Sequence, residues 1–166
     1  MQLEILLVKI MNQDKFEIEY VNDDITKVYN GLIIHGTNCS GAFGSGVAGA
    51  IRKTWPEVYK RFKNSPTGEE MLGQFIPVEV SPLLTIGNCY TQLRYGNDGK
   101  VYASLTAIEK SLTEAFLYAT LNDIYCVNMP KIGAGLGGLD WTDVEAVVKK
   151  VYANFSNNIK LKIYYI

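Results

Sequence analysis

The chain has 166 residues, 48% hydrophobic and 20% charged, a globular composition long enough to bury a core without metals or disulfides. Its 16 Lys and Arg against 17 Asp and Glu leave a net charge of −1. That gives no electrostatic case for general nucleic-acid binding, which needs a concentrated basic face, and leaves open a small anion held by backbone amides.

The N-terminal "MQLEILLVKI" has no basic leader or small-residue cleavage site and reads as a strand over 3–10. "MNQD" is the turn after it. Phe16 to Val21 alternates apolar and polar as a half-buried strand does, so the two predict a hairpin. "GLIIH", residues 31–35, is a short continuous apolar run, as expected of a strand buried on both faces. Helical spacing follows from Val47 to Phe62, with Pro56 opening a second helix; "KRFK" at 60–63 reads as its solvated face. Leu72 to Val80 and Leu83 to Thr91 are predicted strands around a Ser81-Pro82 turn. Ser104 is the expected cap of a helix to about Thr120, whose apolar residues recur at three and four. Ile124 to Met129 is another buried strand, 142–155 a helix with Val144, Val147, Val148 and Val151 on its apolar side, and 159–166 a closing strand. Strands alternating with helices predict one α/β domain over 1–166.

No run approaches the ~18 apolar residues that cross a bilayer. Cys39, Cys89 and Cys126 form no CxxC pair, so neither a zinc site nor a disulfide framework is expected. Cys89 and Cys126 sit in apolar runs and read as core. Reduced thiols fit a cytoplasmic protein, expected here as a monomer without cofactor.

Two glycine-rich loops each follow a buried strand and lead into a helix: "GTNCSGAFGSG" after "LIIH", and "GAGLGG" after "IYCVNMPKI". In α/β sheets the ligand crevice lies beyond the carboxyl ends of the strands, where such loops can close on a phosphate-bearing molecule. Neither is a P-loop, since no GxxxxGK[ST] is present, and neither makes a convincing dinucleotide fingerprint. Two plain tight turns remain the alternative.

With "VNDDIT", these motifs stand in the order and spacing of a macrodomain. The chain resembles that family over nearly its whole length, and within it the ADP-ribose-1″-phosphate phosphatases and related ADP-ribosyl hydrolases. The resemblance implies a three-layer α/β/α fold around a central mixed sheet, and ADP-ribose or a derivative as partner. It implies that Asp24 accepts from the adenine amino group, that the Ile25 amide reaches a ring nitrogen, and that Asn38 bonds the distal ribose. Amides of Gly44, Ser45, Gly46 and Val47, and of the turn Ile132, Gly133, Ala134, Gly135, Leu136 and Gly137, would hold the pyrophosphate. His35, the only histidine, matches the phosphatase branch and would donate a proton or orient water; Asp140 would act as base or hold His35 in one tautomer.

Each residue also has a plainer use: His35 as a satisfied core residue, Asp140 as a helix cap with Asp143, Asp24 as a turn cap, Asn38 as a turn residue. Tyr90, Tyr95 and Tyr102 are candidates to flank the ribose or a base, with core packing as the commoner use; Trp55 and Trp141 read as packing residues. The chain also departs from related branches. Ala48 stands in place of a carboxylate, no lysine occupies "NCYTQLRYG", where Arg94 cannot serve as an amine nucleophile, and Gly137 replaces an aspartate of some hydrolases. The expected function is therefore a metal-independent phosphatase centred on His35, Asn38 and Asp140. The alternatives are a non-catalytic reader of ADP-ribose or of a NAD-derived signal nucleotide, and a hydrolase of ADP-ribosylated protein or nucleic acid.

Overall fold

The computed structural model describes residues 1–11 and 15–166. In chain order it contains helix α1 (Gln2–Met11), strands β1 (Glu19–Asn22) and β2 (Gly31–Asn38), and helices α2 (Gly46–Thr54) and α3 (Pro56–Lys63). Strands β3 (Phe75–Ser81) and β4 (Leu84–Gln92), helix α4 (Leu105–Leu121), strand β5 (Cys126–Pro130), helix α5 (Trp141–Tyr152) and strand β6 (Lys160–Tyr165) complete it. The strands form one mixed sheet in the order β1-β6-β5-β2-β4-β3. All neighbours are parallel except β3 and β4, which are antiparallel.

Leu32, Ile33 and Ile34 are fully buried, because β2 is central and covered on both faces. Leu32 and Ile34 face one core with Val127, Met129, Leu161 and Ile163 of the sheet and the apolar sides of α4 and α5. Ile33 faces the other, with Ile86 and Tyr90 of β4 and Ile51, Val58 and Phe62 of α2 and α3. Each fully buried Leu, Ile or Phe contributes about 1.5–3 kcal/mol. Cys89 belongs to the first core, and burial pushes its thiol up to about 12. Helix starts follow local chemistry. Ser104 Oγ accepts from Ala107 N at 3.2 Å, and Pro56 fills the first turn of α3.

The N-terminal expectation is overturned. Residues 2–11 are helical, and β1 pairs in parallel with the C-terminal β6, so there is no hairpin. A nearly continuous apolar run carries no period with which to separate strand from helix. The expected turn at "MNQD" falls largely on residues 12–14, outside the described residues. On α1, Leu3, Ile5, Leu6 and Leu7 are exposed. Among the described residues, no helix is long and apolar enough to cross a membrane, and no group of three His, Cys, Asp or Glu could hold a metal ion.

Candidate functional site

Because β2, β4 and β5 run in parallel, their carboxyl ends meet at one edge of the sheet. There the two glycine turns enclose a cleft of about 540 Å³. Its floor is Gly36, Thr37 and Asn38 of β2 with Thr91 and Gln92 of β4. One wall is the turn 42–48 and the other Ile132, Gly133, Gly135, Leu136 and Gly137; Tyr95, Gly96, Asn97, Pro130 and Lys131 also line it.

Asn38 braces the first turn. Its Oδ1 accepts from Ser40 N at 3.0 Å and Ala42 N at 3.1 Å, and its Nδ2 donates to Ala42 O at 2.8 Å. An amide NH₂ has two hydrogens, so one remains for a ligand oxygen. Beyond this brace the turn enters α2 at Gly46, whose φ of +55° favours glycine. Ser45 caps that helix without a side-chain bond, so the first-turn amides keep their unfilled donor capacity and the positive end of the helix dipole. A Cβ at Gly44 or Gly135 would meet nothing within 4 Å, whereas one at Gly137 would lie 2.6 Å from Gly133 O. Gly44 and Gly135 therefore leave room in the cleft, while Gly137 lets the second turn close on itself.

The expected site residues separate into those on the cleft and those off it. Asn38, Gly44, Ser45, Gly46, Val47, Ile132, Gly133, Gly135, Leu136 and Gly137 line it; Ala134 belongs to the same turn without lining it. His35 does not line it. Strand alternation turns its side chain into the α2–α3 core, 1% exposed, with Nε2 2.7 Å from Asn88 Oδ1 and its ring edge-on to Phe43 at 5.3 Å. Burial pushes the imidazole down to about 4, only partly offset by the bond to Asn88. The neutral imidazole thus faces the core and not the residues that line the cleft.

Asp140 is also off the cleft. It is exposed and caps α5, its Oδ1 accepting from Thr142 N at 2.7 Å. Asp24 caps a short 3-10 turn at 25–27, accepting from the backbone and hydroxyl of Thr26 at 2.9 and 2.7 Å. Those bonds hold its carboxyl below the ordinary range. It lines a separate open groove of about 1160 Å³ with Lys27, Asn128, Lys162 and Tyr164, and Ile25 is buried beside it. Tyr90 is core, Tyr102 donates to Asp98, and Tyr95 alone of the three reaches the cleft.

Sequence reasoning missed Thr91, Gln92, Phe43 and Lys131. The first two join the floor only through parallel pairing of β4 with β2, for which the sequence carries no local signal. Phe43 was discoverable as the one large apolar side chain within the first glycine loop.

A family model described as Macro domain matches residues 34–148. Among curated proteins, a DNA ADP-ribosyl glycohydrolase of Mycobacterium tuberculosis is 27% identical over 132 residues, covering 77% of this chain and 36% of that protein. This chain thus spans little more than a third of that relative's length. An ADP-ribose 1″-phosphate phosphatase of Meyerozyma guilliermondii is 26% identical over 163 residues, covering 81% of this chain and 93% of that protein. A solved structure of a protein of unknown function from Bacteroides thetaiotaomicron is 28% identical, with a TM-score of 0.79, covering 92% of this chain and all of that one.

Proposed function

The chain belongs to the Macro domain family, and from that premise we propose that its cleft binds ADP-ribose and that the chain removes the phosphate from ADP-ribose 1″-phosphate. The observation that carries the binding reading is the pair of facing glycine turns, with space left open at Gly44 and Gly135 and free donors at the start of α2. The pyrophosphate lies between the turns, where amides and a helix dipole meet its charge. The spare Asn38 hydrogen bonds a hydroxyl of the distal ribose.

The hydrolytic part draws support from relatives of that name matched over nearly their full length. Water attacks phosphorus and the bond from phosphorus to the 1″ oxygen breaks. The leaving oxygen takes the proton that the phosphate monoester itself carries below its second pKa of about 6, so no enzyme acid is needed. Phosphate release should therefore fall as pH rises through that value.

A second reading, binding without turnover, is favoured by one specific feature. Among the described residues, no carboxylate and no imidazole lines the cleft. Calorimetry with ADP-ribose beside AMP and NAD tests the shared part: ADP-ribose should bind tightest, and equal heats with AMP would overturn it. Phosphate release from ADP-ribose 1″-phosphate then separates enzyme from reader. Free ADP-ribose released from modified DNA or protein would instead identify a glycohydrolase.

A further inference from the structure

His35 and Asn88 form a polar pair inside an apolar core, with His35 1% and Asn88 0% exposed. Beyond their mutual bond, His35 Nδ1 and Asn88 Nδ2 have no hydrogen-bond partner. Such a pair costs stability relative to apolar residues of the same shape, so its position has to be explained by what it touches. It touches Phe43. That ring is held edge-on by His35 at 5.3 Å and packs on Tyr59 at 5.8 Å and Phe62 at 4.9 Å. The preceding residue, Ala42, is gripped at both backbone polar atoms by Asn38. The following residue is Gly44, where the amide-bearing wall of the cleft begins.

We propose that His35 is a positioning residue: fixed in orientation by Asn88, its ring holds Phe43 in place and so sets the turn Gly44–Val47 in the geometry that receives an anion. Asn38 pins the backbone at Ala42, His35 pins the side chain at Phe43, and the amides beyond inherit both constraints. A free rotor at position 35 would leave Phe43 held only from the α3 side. The anion part of this assignment rests on the binding reading above; the positioning part does not.

Amide hydrogen exchange of the ligand-free protein tests it, read at Ala42 and Gly49, whose bonded amides bracket 44–47, with Leu32–Ile34 as a control for global opening. Phe43→Ala should speed exchange at Ala42 and Gly49 by about tenfold or more while the control stays slow. His35→Leu and Asn88→Leu should each produce a large part of that effect, and either serves if the other fails to fold. His35→Leu added to Phe43→Ala should change exchange less than about twofold, since coupled residues are non-additive. His35→Phe with Asn88→Ala, which keeps a ring against Phe43 and needs no anchor, should restore slow exchange. Wild-type exchange in His35→Leu, or full additivity with Phe43→Ala, overturns the proposal. So does a loss of phosphate release in kcat of about a hundredfold or more with exchange unaltered, which would mark an acid–base group. ADP-ribose affinity should weaken in parallel with the exchange. A wild type that fails to bind ADP-ribose sinks the ligand reading alone and leaves the exchange result to decide this one.

Discussion

His35 and Asn88 are register partners across β2 and β4, with Nε2 2.7 Å from Oδ1, and no carboxylate takes part in that contact. The imidazole is neutral in the folded state to about pH 4 and ordinarily titrates at 6.5. Between those values the unfolded chain binds the extra proton, so stability is whole above about 6.5 and drains away as pH falls toward 4. The full shift corresponds to about 3 kcal/mol. Urea unfolding at pH 7 and pH 4.5 should show this decline, and His35→Leu should flatten it. An unchanged slope in the variant would assign the acid sensitivity to other groups.

The glycines of the two turns should divide into two behaviours. Gly44→Ala and Gly135→Ala place a methyl in open space, so the melting temperature should hold within about 2 °C, while ADP-ribose affinity falls as the methyl meets the ligand. Gly137→Ala forces a methyl to 2.6 Å from a backbone oxygen, and should cost about 1–3 kcal/mol of stability before any ligand is added. Scanning calorimetry and titration on the same three variants check both halves.

Asp140 caps α5 from outside the cleft. Asp140→Ala should lose about 0.5–2 kcal/mol, and Asp140→Asn, which still accepts from Thr142, almost none. Phosphate release by either should follow the folded fraction. A catalytic base would instead lose about 10²–10⁴ in rate on the Asn change without unfolding.

Much of the fold was legible because its signals are local. Ser104 ahead of a three-and-four repeat, Pro56 after one helical stretch, and the continuous Leu32–Ile34 run each carry their structural meaning within a few residues. The N-terminal helix was not legible, since an apolar run without period suits either element, and β1 finds its partner at the far end of the chain. The two turns that line the cleft could be read from their glycines and Asn38. The placement of His35 could not, because it depends on which face of β2 the side chain takes and on its contact with Phe43. Asp140 was read two ways, and its hydrogen bond to Thr142 favours the cap.

Removing residues 1–7 should leave the melting temperature within about 2 °C of the full chain. Met1, Leu3, Ile5, Leu6 and Leu7 are exposed and contribute nothing to either core, and a ten-residue helix alone is marginal in water. A large fall in thermal stability would mean that this helix finds a partner surface in solution.

Cys89 sits on β4 beneath α4, sealed from water. Since thiolate is the species that attacks, a colourless disulfide reagent added to native protein has nothing to react with at this position until strand and helix part. The rate of its capture, followed by mass spectrometry with Cys126 as the half-buried comparison, is therefore a stopwatch for how often the floor beneath the cleft comes undone. Nature has supplied the label in the wild-type chain.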